Sequence, residues 1–223
     1  MDVTAYTREA DDYAAFRPPY AEEAVRALRE LIGLDSSWLV ADIGSGTGNV
    51  ARNLVGRVTR VFAVEPDGAM RRQAEQLLGQ KPAFVSIAGT AEATTLSDRS
   101  VDLITVGQAI HWFDADRAKR EFLWILKPEG WLGLTWNRFG HDAEPDIGGL
   151  FLPDECRRLQ FPMTMQETWP QFTGGARSAA NTPCEGDDDY GRFERKQRKV
   201  FDPQAMDGTI DVEYTTELAV GQM

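Results

Sequence analysis

From Ser37 to Asn137, short apolar runs alternate with amphipathic stretches, and little sequence is left over between them. Trp38–Ile43 is a short apolar run broken only by Asp42, and it ends in glycines, the pattern of a strand buried on both faces. Asn49–Gly56 reads as a short helix, Arg60–Val64 as a second strand and Asp67–Gly79 as a second helix, with Asp67 as N-cap and Gly79 as terminator. Ala83–Ile87 and Val101–Val106 are two further strands. Asp114–Leu126 is amphipathic and stops at Lys127-Pro-Glu-Gly130, and Trp131–Trp136 is the fifth strand. Strands separated by helices require right-handed crossovers, and so a parallel, doubly wound α/β sheet covered on both faces.

Outside this core the pattern is weaker. Tyr20–Leu31 has apolar positions at helical spacing and is expected to cover one side of the sheet. Beyond Asn137, Arg158–Thr164 is compatible with a strand, and Thr168–Ala179 and Asp188–Phe201 with helices. Thr209–Val220 alternates with period two, as a strand at a sheet edge does. His141–Gly149 has no readable element. We expect one domain over residues 1–223, with a core at about 37–137 and an acceptor-side and C-terminal region at about 138–223.

Composition narrows the partners. The formal net charge is −11, which argues against nucleic acid, because such binding draws its affinity from Lys and Arg meeting phosphates. The basic stretch Arg192–Lys199 is interrupted by Glu194 and reads as a solvated helix face. No apolar run approaches the roughly 18 residues of a membrane span, and the N-terminus lacks the basic and apolar regions of a secretory signal. Cys156 and Cys184 are too few for a disulfide framework or zinc site. No metal is expected, and a reducing cytoplasm is the expected location.

Candidate chemistry begins where the first strand meets the first helix, at Asp42-Ile-Gly44-Ser-Gly46-Thr-Gly48. Glycines there permit positive φ and let a ligand approach the backbone. Glu65 ends the second strand, where a carboxylate accepts hydrogen bonds from both hydroxyls of a ribose. That arrangement serves nicotinamide dinucleotides as well. The dinucleotide fingerprint needs a third glycine about five positions after the first, and that position is Asn49. An acid at Asp42 would repel a pyrophosphate but suits a cationic ammonium, directly or through water. The spacing therefore favours a nucleoside with an amino-acid tail over a dinucleotide.

With these residues the chain resembles the class I methyltransferases that use S-adenosylmethionine. Asp42, Gly44, Gly46, Gly48 and Glu65 match the family's methionine-binding turn and ribose acid. Gly89-Thr-Ala-Glu92 resembles the segment after strand three, which implies that Ala91 and Glu92 flank the adenine. Gln108-Ala-Ile-His-Trp-Phe-Asp114 resembles the segment after strand four in the small-acid group that includes trans-aconitate methyltransferases. Tyr13–Tyr20 resembles the Tyr/Arg-Pro segment that caps the cofactor in that group. The resemblance runs from about Tyr13 to Asn137 and resumes at Thr168–Ser178 and at the terminal strand. It implies a mostly parallel, Rossmann-like sheet of the seven-stranded type, with an antiparallel C-terminal edge strand. Arg138–Glu167 is shorter than the corresponding stretch of such relatives, which packs around the acceptor pocket.

The resemblance also implies methyl transfer to a small-molecule acceptor, through a carboxylate, hydroxyl or carbon. A carboxylate needs no base, whereas an alcohol, phenol or carbon acid does. His111 is the candidate base, beyond strand four with an ordinary pKa near 6.5; the alternative is a role in holding its loop. Gln108 is a candidate contact to the cofactor tail, and Arg17 to the cofactor carboxylate or an acidic acceptor. Trp112 and Phe113 are candidates to shield the sulfonium or stack on the acceptor, and Arg177 and Ser178 to touch the acceptor. The competing readings are an impaired cofactor-binding module and, further off, a nucleotide-dependent oxidoreductase.

Overall fold

A computed structural model describes residues 15–139, 145, 147, 149–177, 182–183 and 186–223. Helix α1 (Glu22–Ile32) opens the described chain and buries Ala24, Leu28 and Ile32, one residue per turn along a single stripe. Strands β1 (Leu39–Ile43), β2 (Arg60–Val64), β3 (Phe84–Ile87) and β4 (Val101–Gly107) follow, with helices α2 (Ala51–Leu54) and α3 (Gly68–Leu78) after β1 and β2. Asp67 caps α3 as expected, its Oδ1 accepting from the backbone N–H groups of Ala69 at 2.7 Å and Met70 at 3.0 Å. Helix α4 (Ala115–Ile125) is capped by Asp114 in the same way and buries Ala118, Phe122 and Ile125.

Strand β5 (Leu126–Phe139) departs from the sequence reading: it begins directly at the end of α4, before the expected start at Trp131. Its pairing with β4 shifts register between Val101 and Leu103, and that irregularity absorbs Lys127–Gly130. Strand β6 (Arg157–Thr168) is longer than expected. It leads into α5 (Trp169–Arg177), α6 (Tyr190–Phe201) and β7 (Thr209–Gln222).

All seven strands form one sheet in the order β3-β2-β1-β4-β5-β7-β6. The first five are parallel, and β7 is antiparallel to both β5 and β6. The C-terminal strand therefore has the expected direction. It lies second from the margin, and β6 closes the sheet outside it along twelve paired residues. Two apolar layers cover the faces. Phe122, Ile125, Leu132 and Leu134 belong to one, and Leu28, Val40, Val61 and Leu78 to the other. A smaller cluster of Phe172, Phe201, Ile210 and Val212 seats α5 and α6 on the outer half of β7. Among the described residues no helix is long and apolar enough to cross a membrane.

The strand order reverses between β1 and β4, which are neighbours in the sheet. In open α/β sheets, ligands bind outside the carboxyl ends of the strands at that point.

Candidate active site

At the carboxyl end of β1 the chain turns through Gly44, Gly46 and Gly48, with φ of +64°, +54° and +87°. Side chains with a Cβ adopt this region at a cost, so glycine is what the turn requires. The N–H groups of Gly44 and Ser45 both donate to the Val64 carbonyl, at 2.9 and 3.1 Å, which clamps the turn onto β2. A Cβ on Gly44 would stand 2.6 Å from Ala109 Cβ and 3.2 Å from the Phe113 ring. Three segments distant in sequence thus meet here: the glycine turn, the end of β2 and the stretch after β4.

Glu65 ties the first two together. Its Oε2 accepts from Gly46 N–H and its Oε1 from Asp67 N–H, each at 2.9 Å. The side chain is nearly buried. Burial pushes its carboxyl above the usual range, partly offset by those two backbone bonds. Each oxygen keeps a further lone pair for a ligand hydroxyl.

Asp42 faces the other way. It is fully buried; Thr105 Oγ1 donates to its Oδ1 at 2.9 Å and the Ala51 N–H to its Oδ2 at 3.1 Å. Burial pushes its pKa up to about 7, against the pull of those bonds. The Asp42 carboxyl, whose two oxygens each accept one bond inside the sheet, braces the turn from behind, joining β1, β4 and the start of α2. It also occupies the first-turn amide of α2 that a pyrophosphate would need.

A cavity of about 300 Å³ opens between the ends of β5 and β7 and helices α5 and α6, lined among others by Arg17, Gln108, Asn137, Phe139, Phe172 and Tyr214. Asn137 assembles this corner. Its Nδ2 donates to the carbonyls of Pro18 at 3.2 Å and Pro19 at 2.9 Å, and its Oδ1 accepts from Thr216 Oγ1 at 2.6 Å. Thr216 in turn accepts from Ala21 N–H at 2.9 Å. Arg17 is positioned by this pinned segment. Gln108, with φ of +58°, donates from Nε2 to the Asn137 carbonyl at 3.0 Å. A non-glycine residue held in this region marks a position that its surroundings over-determine.

Residues 41–134 match the family model described as a methyltransferase domain. An uncharacterised methyltransferase of Mycobacterium tuberculosis (strain H37Rv) is 40% identical over 162 residues, which cover 66% of this chain and 64% of that protein. Over that stretch the chain is similar to methyltransferases. The matched stretch is just under two thirds of that relative's length. Two solved structures share the fold. The YcgJ protein from Bacillus subtilis has a TM-score of 0.59 at 18% identity, covering 91% of this chain and 100% of its own. The cyclase SpnF has 0.60 at 16% identity, covering 99% and 94%. One fold therefore carries more than one chemistry.

The residues present fit S-adenosylmethionine, the donor that the similarity to methyltransferases implies. The glycine turn lies against Glu65, whose carboxylate suits ribose hydroxyls, while the α2 amide that would attract phosphate is already taken. Ala91 is buried on the β3 side. Glu92 accepts from Asp114 N–H at 2.9 Å, so it ties the segment after β3 to the start of α4 and keeps one oxygen for a ligand.

The remaining candidates divide. Gln108 and Arg17 both line the cavity, and Arg17 also lines a second one beside Thr47, Asn49 and Arg52. His111 lies on the short 3-10 turn Ile110–Trp112, exposed at the surface, and is absent from the cavity lining. Desolvation of its ring and then the charge of Arg17 hold its pKa below the ordinary value. Phe113 packs edge-on against Phe122 and against Gly44, as a wall of the turn. Arg177 donates to Tyr190 Oη at 3.3 Å. Tyr13, His141 and Ser178 lie outside the described residues. Among the described residues no group of three or more His, Cys, Asp or Glu could hold a metal.

Asn137, Phe139, Phe172 and Tyr214 were not legible as site residues. Asn137 marks a strand end in the sequence, and Tyr214 one position of an alternating strand. The alternation does show that Tyr214 and Thr216 share a face. Which face meets the cavity depends on pairing with β5 and β6.

Proposed function

We propose that this chain transfers a methyl group from S-adenosylmethionine to a small-molecule acceptor held in the Arg17–Gln108–Tyr214 cavity. One observation carries the reading. The segment that packs on Gly44 through Ala109 begins at Gln108, which lines that cavity, so donor turn and acceptor cavity share one short stretch of chain. In this reading the glycine turn takes the methionine portion and Glu65 the ribose, Ala91 and Glu92 flank the adenine, and Gln108 and Arg17 stand between cofactor and acceptor.

When bound, the cofactor supplies a methyl group already activated by a sulfonium charge. The protein's task is then mainly positioning, and well-oriented approximation contributes up to about 7–11 kcal/mol. The cavity is the size of a small ligand's site, and the net charge of −11 disfavours nucleic acid. A reducing cytoplasm suits such an enzyme.

Calorimetry with S-adenosylmethionine, S-adenosylhomocysteine and NAD tests the donor. The first two bind and NAD does not; binding of NAD alone would overturn the reading. A screen of small carboxylic acids and phenols with methyl-labelled cofactor then finds the acceptor.

A further inference from the structure

One residue of the cavity wall, Tyr214, belongs to a polar pair that donor binding does not use. Tyr214 lines the cavity, and its hydroxyl donates to Glu167 Oε1 at 2.9 Å. Glu167 is 4% exposed, and its second oxygen is buried without a hydrogen-bond partner among the described residues. Helix α5, whose Phe172, Gly175 and Ala176 line the same cavity, holds a second such atom, Thr173 Oγ1. A buried carboxylate left half satisfied is costly, and groups of this kind beside a cavity are frequently the ones that handle protons.

Tyr214 keeps its proton throughout the working range, because burial and the neighbouring Glu167 raise its pKa well above the ordinary value, with Arg17 opposing. Burial likewise raises Glu167, with the Tyr214 hydrogen bond opposing. Since the Tyr214 hydrogen is committed to Glu167, its oxygen has only lone pairs left to offer a ligand. A ligand at that point must donate. A carboxylate acceptor has no hydrogen to offer there and would bring its charge towards Glu167. A hydroxyl satisfies the geometry, and Phe139 and Phe172 in the same lining suit a flat ring.

We propose that Tyr214 and Glu167 form a proton-accepting pair for a small phenolic acceptor whose hydroxyl donates to Tyr214 Oη. The inference rests on the methyl-transfer reading and adds the acceptor class to it. In the reaction the phenol's O–C bond to the methyl forms as the donor's C–S bond breaks. The phenol's proton passes to Tyr214 Oη, while the proton of Tyr214 passes to Glu167 Oε1. The products are a methyl ether, a neutral thioether and a protonated Glu167, so the positive charge lost at sulfur balances the negative charge lost at Glu167. Glu167 then returns its proton to water. Arg17, the cation in the lining, accommodates an acidic substituent on the ring.

The test compares 4-hydroxybenzoate with benzoate by calorimetry in the presence of S-adenosylhomocysteine. The wild type binds the hydroxylated ring about tenfold more tightly, the scale of one net hydrogen bond. In Tyr214→Phe that preference vanishes while S-adenosylhomocysteine affinity is unchanged. Glu167→Gln retains an acceptor for the Tyr214 hydroxyl, so it keeps the fold by circular dichroism and binds S-adenosylhomocysteine normally, but it methylates the phenol at least tenfold more slowly. Absence of phenol binding, no preference in the wild type, or a preference that survives in Tyr214→Phe overturns the phenolic assignment and leaves methyl transfer standing. Failure of the wild type to bind S-adenosylhomocysteine overturns the reading beneath it.

Discussion

Thr105 donates its hydroxyl hydrogen to Asp42 Oδ1 over 2.9 Å, across the β1–β4 pair at the point where strand order reverses. The carboxyl group thus bonds within the sheet, where it holds the glycine turn in shape.

This relationship predicts a pH-dependent stability. The Asp42 pKa rises from an ordinary 3.8 to about 7 in the fold, so between those values the native state binds more protons than the unfolded chain. Its contribution is therefore complete below about pH 4, declines as pH rises to about 7, and is level above that. Glu65 and Glu167 shift in the same direction. Urea unfolding across pH 4–8 is expected to show stability falling with pH, and Asp42→Asn a shallower fall. An unchanged slope in Asp42→Asn would place the effect on other groups.

Glu65→Ala is expected to weaken S-adenosylhomocysteine binding by about 1–3 kcal/mol, or roughly 5- to 150-fold, the scale for losing hydrogen bonds to a charged group. Calorimetry measures it directly. Wild-type affinity in the variant would move the ribose away from β2.

Gly44→Ala combines a positive φ with a Cβ 2.6 Å from Ala109. Gly33→Ala has a comparable φ of +61° and open space around it. The first should lose about 1–3 kcal/mol more than the second. Equal melting temperatures would mean that Ala109 and Phe113 yield easily, and that the close approach of the two segments is not a constraint.

Asn137→Ala removes both bonds to the Pro18 and Pro19 carbonyls and the one from Thr216. We expect a loss of about 1–3 kcal/mol in stability and weaker acceptor binding, because Arg17 loses its anchor. Acceptor affinity that survives the substitution would separate Arg17 from the pocket.

His111→Ala should retain S-adenosylhomocysteine affinity and turnover within about threefold, since His111 is exposed and outside the cavity lining. A tenfold or greater loss of turnover at unchanged affinity, with the lower arm of the pH–rate profile removed, would restore it as the base.

The glycine turn and the strand ends around it were legible because their determinants are local. The alternation of apolar runs and amphipathic stretches, the glycines at 44, 46 and 48, the cap at Asp67 and the acid at Glu65 each lie within a few residues of the structure they cause. Backbone geometry there follows from neighbouring residues. The cavity beside the turn was decided by tertiary structure. It draws Arg17, Gln108, Asn137, Phe172 and Tyr214 from five distant stretches of chain, and only the insertion of β7 between β5 and β6 brings them to one corner. The same holds for Asp42: its position next to the turn is written in the sequence, but Thr105, 63 residues away, determines which way its carboxylate points. Register between remote strands is set by the summed burial and pairing of whole elements, a quantity that no single stretch of sequence contains.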